Sequence, residues 1–332
     1  MQRFMIRLLL SLLILLAPIL TYADSDFVHR QDVLQFINLM VKKYHFQKQV
    51  LLNIFSEVKL RPQVVHHVKK PLEAIAWNRY QILFVNNWRI KHGVEFWNTY
   101  AAALQRAEQV YGVPASIIVA TIGIETKYGH RTGDYRVIDS LTNLAFSDSS
   151  RAPFFRQELE QFLLLTRDEH LDPLTVMGSY AGAIGQPQFM PSSYRYFAVN
   201  FSKSGKTDLM NNEVDVIGSI ANYYKKHGWQ PNEPVAAQAY LIDDRYASLA
   251  NNRISLAIPD WQKYGIAPKE KLPSTNLKVK IIQLNNRYSK EYWLGFHNFY
   301  VIKRYNPSDL YAMAVYQLST HIEAQREEEN HG

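Results

Sequence analysis

The sequence predicts a mainly α protein of the α+β class, with a small antiparallel β insertion toward its C-terminus. Three observations carry this prediction. Along most of the 332 residues, apolar positions recur at the i, i+3, i+4, i+7 spacing of amphipathic helices. Around residues 277–281 the period drops to two, as in a strand. A composition of 47% hydrophobic and 20% charged residues supplies a sizeable core and excludes a disordered chain.

In chain order, Arg3 and Arg7 precede the apolar run Leu8 to Leu16, followed by Pro18 and the small residues Thr21 and Ala23, the pattern of a secretory signal peptide over residues 1–23. An uncleaved membrane anchor is the other reading of this segment, but the run to Leu20 is shorter than the roughly 20 apolar residues that cross a bilayer, so no stable anchor is expected. Val33, Phe36, Ile37, Met40, Val41 and Tyr44 make the first helix, started by Ser25-Asp26. Helices are then expected over Val94 to Tyr111 and over Pro114 to Lys127, the second opened by Pro114 and closed by Gly129. Two more follow, Phe154 to Arg167 and Val214 to Lys226. Leu277, Val279 and Ile281 alternate with Lys278 and Lys280, and Phe299 to Tyr305 is similarly rich in β-formers, so both are read as strands. Asn306-Pro307 caps a last helix whose Leu310, Met313, Ala314 and Leu318 form the inward stripe.

Composition excludes several chemistries. With no cysteine there is no disulfide, thiol nucleophile, cysteine-zinc site or iron-sulfur cluster. Eleven histidines include no His-Glu-x-x-His helix, and neighbouring His66 and His67 diverge on a helix, so no metal is assigned. Ser204-Gly205-Lys206-Thr207 echoes the end of a phosphate-binding loop, but Asn200 stands where its first glycine belongs. A net charge of +7, spread over both halves without a dense basic stripe, suits an acidic polymer and not a nucleic acid.

Chemistry concentrates in two places. In Ile117 to Gly129, Ile118, Ile122 and Glu125 stand at i, i+4, i+7, which puts the carboxyl on the buried face near the helix C-terminus. Desolvation and the negative end of the helix would both favour its protonated form there; spacing equally allows an ordinary glutamate reaching solvent past the helix end. In Gly178 to Tyr194, closely spaced glycines sit among Ser179, Gln188 and Ser192, which can hydrogen-bond a hydroxylated ligand over Phe189 and Met190. A structural turn is the other reading of that loop.

Together and in this order the two motifs resemble the lytic murein transglycosylase B family, which cleaves bacterial cell-wall glycan on a lysozyme-like fold. Glu125-Thr126-Lys127-Tyr128-Gly129 is similar to its catalytic-acid signature, and Gly178 to Ser193 to its long Gly/Ser/Gln-Phe-Met-Pro signature. Similarity continues through Phe96-Trp97-Asn98, Tyr111-Gly112-Val113-Pro114, Gly218 to Tyr223, His227-Gly228-Trp229 and His297 to Tyr300. The resemblance implies that Glu125 is the sole catalytic acid/base, that Ser179 hydrogen-bonds it, and that Gln188, Tyr80, Tyr223 and Asn298 hold the glycan or the carboxyl. Arg151 resembles an arginine near the peptide stems, where Ser150 replaces a second one. Pro187 stands where many members carry glycine.

The same resemblance implies a division into an N-terminal helical domain over 24–105 completed by the helix 306–332, a lysozyme-like catalytic core over 106–234 and a β-containing subdomain over 235–305. It implies non-hydrolytic cleavage of the MurNAc-GlcNAc bond to 1,6-anhydro ends, without a cofactor, in the periplasm after signal-peptide removal. Peptidoglycan strands are the expected partner, with cell-wall synthesis or division proteins as further candidates. The residues alone equally allow a hydrolytic muramidase, and a scaffold that binds wall without chemistry is the alternative from another class. Family members can carry a calcium loop at the segment starting at Asn200. Of its ligating positions Asn200, Ser202, Ser204, Asp208 and Asn211, only Asp208 is charged, and Lys203 and Lys206 stand beside them, so calcium independence is expected.

Overall fold

The computed structural model describes residues 27–61, 75–242, 244–250, 252, 254–272 and 276–331. The expected signal peptide and the Ser25-Asp26 helix start lie outside the described residues. The described residues hold 13 α-helices and 7 strands. The chain divides into two compact units between Lys59 and Leu60, inside the segment expected to form one helical domain. In the first unit, α1 (Gln31–Tyr44) and α2 (Lys48–Ser56) follow a short 3-10 turn. The spacing of α1 is as expected: Val33, Phe36, Ile37 and Met40 are buried, and Phe36 meets Phe55 of α2 edge-on at 6.0 Å.

In the second unit, the expected helix Val94–Tyr111 is broken at Tyr100, giving α4 (Asn87–Thr99) and α5 (Ala101–Tyr111) after α3 (Trp77–Phe84). Then come α6 (Ala115–Thr126), α7 (Val137–Ala145), α8 (Ala152–Asp168), α9 (Pro191–Phe197) and α10 (Glu213–Lys226). Every residue of α6 except Glu125 is buried. A helix that is apolar all round belongs in a core, and α4, α5, α10 and the last helix, α13 (Asp309–His331), pack around it. Of the expected stripe on α13, Met313, Ala314 and Leu318 are buried and Leu310 is half-buried, and the inward face is wider, adding Tyr311, Val315 and Ile322 to Leu318 at i, i+4, i+7, i+11. Ser308, not Asn306-Pro307, caps this helix, its Oγ accepting from the Leu310 and Tyr311 amides at 3.1 and 3.4 Å. Among the described residues, no single helix is long and apolar enough to cross a membrane.

The β insertion is a five-stranded antiparallel sheet in the order β4-β6-β7-β3-β5, with β3 Ala236–Leu241, β4 Leu256–Ala257, β5 Ile266–Pro268, β6 Lys278–Asn285 and β7 Lys290–Gly295. One face buries Ala239, Val279, Ile281 and Leu294 against Trp261 and Phe296. The Trp261 indole N–H donates to the Val279 carbonyl at 3.0 Å. The short helix α11 (Ile258–Gln262) carries Trp261. Phe299 to Tyr305, expected as a strand, instead begins within α12 (His297–Ile302). Asn298, Phe299, Val301 and Ile302 are the buried residues there. That is helical spacing, and burial outweighs the β preference of the residue types.

Glu158 of α8 fixes the approach to α9. Only 5% exposed, it accepts from the Ser192 amide at 2.9 Å and the Ser192 hydroxyl at 2.7 Å, just past Pro191. Burial lifts its carboxyl above the usual 4.5, and the Ser192 bonds pull the other way. Glu158→Ala is expected to cost about 1–3 kcal/mol, because it strands buried donors. A raised folded value means that the folded state holds the proton more tightly, so this contribution is complete below the unfolded pKa and is lost as pH rises through the folded one. Urea unfolding should therefore show the wild type exceeding Glu158→Gln by more near pH 4 than at pH 7.5; a gap that widens with pH would contradict this.

Candidate active site

Glu125 sits on the last turn of α6, and the motif behind it is a helix-stopping device. Lys127, Tyr128 and Gly129 are all left-handed, with φ of 52°, 59° and 86°, and the Lys127 and Tyr128 amides turn back to the Gly123 and Ile122 carbonyls. Tyr128 folds over Gly123, where a Cβ would stand 2.5 Å from its hydroxyl oxygen. That hydroxyl donates to the Arg89 carbonyl at 2.6 Å, and Arg89 Nε donates to the Gly123 carbonyl at 2.9 Å. Thr126, fully buried, donates from Oγ1 to the Gln186 carbonyl at 2.9 Å and accepts from the Gly129 amide at 3.1 Å. The end of α6 is thus bonded to the glycine-rich loop.

That loop folds on β1 (Tyr135–Arg136) and β2 (Met177–Gly178), with further bridges from Gly178 to Ile184 and from Ile184 to Phe189. Its close packing needs Gly133, at φ 107°, where a Cβ would stand 2.1 Å from the Gly178 carbonyl oxygen. Ser179 Oγ accepts from the Ala181 and Ala183 amides at 3.3 and 3.0 Å, which engages both lone pairs and leaves its proton to donate. Gln188, at φ 51°, donates from Nε2 to the Thr132 and Gly185 carbonyls, both at 2.9 Å. At Pro187 the contact is made by the backbone: its carbonyl accepts from Tyr305 at 2.5 Å, whatever side chain the position carries.

The Glu125 carboxyl is partly exposed, neither wholly buried nor extended into water, and Oε1 accepts a 2.5 Å bond from the Tyr311 hydroxyl. Around it stand Tyr305, parallel to Tyr311 at 6.4 Å, and Tyr223 and Tyr224, at 4.8 and 5.6 Å from Tyr305. Burial and the Glu125 charge lift the Tyr305, Tyr311 and Tyr224 phenols well above 10, and Tyr223 is pushed up to about 12 by burial, with Arg304 opposing. Among the described residues, Glu125 is the one carboxylate acting on all four. Asp139 is locked away, fully buried in a two-pronged pair with Arg136 at 2.8 and 2.9 Å.

The expected residues fare differently. Tyr223 joins the cluster, its hydroxyl donating to the Arg304 carbonyl at 2.6 Å. Tyr80, 1% exposed, lies against Trp77 and Phe84 on α3. Arg151 is exposed at the start of α8 over the Phe155 ring at 5.0 Å. Asn298 is a correction. Fully buried, it accepts from the Gln230 amide and donates to the Gln230 and Glu233 carbonyls, so its amide clamps a turn and presents no surface to a glycan. Sequence reasoning missed Tyr311, Tyr305 and Tyr224. The i, i+4, i+7, i+11 series from Tyr311 would have pointed its ring inward.

Residues 29–320 match the Transglycosylase SLT domain. The chain belongs to this transglycosylase family. It is 41% identical to the membrane-bound lytic murein transglycosylase B of Escherichia coli K12 over 305 residues, 89% of this chain and 83% of that protein. The E. coli lytic transglycosylase Slt35 in complex with calcium superimposes with a TM-score of 0.84 at 41% identity, over 91% of this chain and 95% of that one. Pseudomonas aeruginosa SltB3 in complex with NAG-NAM-pentapeptide does so at 0.79 and 28%, over 87% and 78%. The chain is a lytic transglycosylase with a lysozyme-like fold.

The transglycosylase segment from Asn200 does not fit a calcium ion. Asn200 Oδ1 accepts from the Ser202 hydroxyl and the Ser204 amide, Ser204 Oγ donates to the Lys206 carbonyl, and Asp208 Oδ1 accepts from the Met210 and Asn211 amides. The oxygens a cation would need are bonded within the loop, which Asp215 anchors from α10 by accepting the Ser202 and Asp208 amides. Millimolar calcium or EDTA should leave the melting temperature unchanged in scanning calorimetry. Tyr311→Phe should leave folding intact but slow turnover of purified sacculi roughly 10- to 100-fold, since a bond to a charged group is worth about 1.5–3 kcal/mol. A rate within twofold of wild type would remove Tyr311 from the site.

Proposed function

We propose that this lytic transglycosylase cleaves the MurNAc-GlcNAc bond of peptidoglycan with Glu125 as its sole acid and base, leaving 1,6-anhydro-MurNAc ends. The observation that carries the reading is that, among the described residues, Glu125 is the one carboxylate set against all four tyrosines. Glycoside cleavage commonly uses two carboxyl groups. With one, the substrate must supply the other nucleophile. Glu125 protonates the bridging oxygen, the C1–O bond breaks, and the neighbouring acetamido carbonyl stabilises C1. Glu125, now a carboxylate, takes the proton of the C6 hydroxyl as its oxygen closes on C1. Every atom is retained and no water enters.

Tyr311 holds the carboxyl in orientation for both proton transfers. Ser179 and Gln188 are proposed to face the sugar from the glycine-rich loop, and Tyr80 and Tyr223 to support the cleft. Arg151 is proposed to meet a peptide stem, in keeping with the pentapeptide bound by SltB3. The proposed place of action is the periplasm, where the wall lies.

The test is product mass from purified sacculi, because anhydro and reducing ends differ by one water. Reducing ends would make the enzyme a muramidase. Glu125→Gln should lower turnover by about 100- to 10,000-fold, the usual worth of general acid-base help, while still sedimenting with insoluble wall. Near-wild-type release of anhydromuropeptides by folded Glu125→Gln would sink the assignment.

A further inference from the structure

Resting on that glycan-cleaving function, we infer that a groove between the β-sheet and α13 is a second sugar site, which reads the acetamido group of an N-acetylated hexose remote from Glu125. The sheet has two faces with different duties. One covers its own core; on the other, Gln238 and Trp293 are paired across β3 and β7 and so project on the same side. The groove there has a volume of about 660 Å³, walled by Gln238 and Trp293 on the sheet and by Tyr316, Gln317 and Thr320 on α13, with Gln81 of α3 at one end. The small side chain of Ala236 keeps its floor low.

Two features select the ligand. Trp293 and Tyr316 meet edge to face, with centroids 6.4 Å apart and planes at 85°, and form an aromatic corner of the kind that receives the apolar face of a pyranose. Beside it, Gln81 Nε2 donates to Gln317 Oε1 at 2.7 Å. That bond leaves Gln81 Oε1 as an acceptor and Gln317 Nε2 as a donor, neither of them hydrogen-bonded among the described residues. Gln317 is only 9% exposed, yet lines the groove. An acetamido group offers one N–H and one carbonyl, the complement of that pair, and reversing both amides leaves the same complement. Glu270 and Glu291 against Lys271 make the wall slightly negative, which suits a neutral N-acetylglucosamine better than an anionic sugar.

The groove shares α13 with Tyr311, whose hydroxyl bonds the Glu125 carboxyl of α6. Gln317 is six residues beyond Tyr311, about 9 Å along α13 at 1.5 Å per residue, and Gln81 follows Tyr80. In this reading one strand, several sugars long, is held at the groove while it is cut at Glu125.

The test uses the full chain carrying Glu125→Gln and the probe tetra-N-acetylchitotetraose, followed through the Trp293 indole N–H resonance, assigned with Trp293→Phe. The resonance should shift on titration. Gln81→Met with Gln317→Met should weaken the fitted affinity at least tenfold, and the deacetylated glucosamine tetrasaccharide should leave the resonance in place. Thr320→Trp, which fills the groove from an exposed position, should abolish the shift and serves if the paired variant does not fold. The site is disproved if chitotetraose leaves Trp293 unmoved, if the deacetylated oligomer shifts it equally, or if both the methionine pair and Thr320→Trp titrate like their parent. Release of anhydro ends by the wild type tests the cleavage chemistry separately, so either claim can fail alone.

Discussion

The bond from the Thr126 hydroxyl to the Gln186 carbonyl is the constraint on which the rest of the site depends. Glu125 is carried by a helix and Ser179 and Gln188 by a loop more than 50 residues later, and the two are brought into register by this fully buried side chain, next door to the acid itself. Because Thr126 also accepts from the Gly129 amide, the same oxygen ends the helix and fastens the loop. A helix C-terminus ordinarily leaves carbonyls unsatisfied; here its last turn is over-determined. The left-handed run after it, two of its three residues not glycine, is held in place by the packing of Tyr128 against Gly123 and Arg89.

Around that frame the protein solves an electrostatic problem. In the proposed mechanism a lone carboxyl gives up a proton and takes one back at the same atoms, so it must be shielded enough to hold a proton and open enough to reach sugar. Phenols meet both needs: their rings exclude water, and Tyr311 points a donor at Oε1. Because burial keeps these hydroxyls protonated far into alkali, they remain donors throughout the range in which the glutamate works.

Much of this is legible in the chain. The acid motif and the glycine-rich loop are contiguous segments whose residue types carry their chemistry, and the helical periods of α1, α8 and α10 are strong. What escaped is non-local or ambiguous. Tyr311 acts on Glu125 across 186 residues, so no local window contains both. Asn298 was assigned to the cleft because resemblance transfers a residue type and says nothing of its neighbours, and here the neighbours are backbone groups of residues 230–233. Residues 299–302 are aromatic and β-branched, yet their burial follows a helical turn. At the Asn200 loop the expectation rests on charge alone, which needs no fold to be read: a single aspartate flanked by lysines is a poor cation site in any conformation.

The placement of Tyr311 also sets when in folding the Glu125 carboxyl gains its partner. Its helix joins that of Glu125 only by closing a very long loop, the kind of contact that forms late because its entropy is recovered only when the rest is in place. Until then the acid exists without the hydroxyl that aims it. The bond that holds the Glu125 carboxyl is thereby tied to complete assembly, and a half-folded molecule carries that carboxyl without its phenol partner.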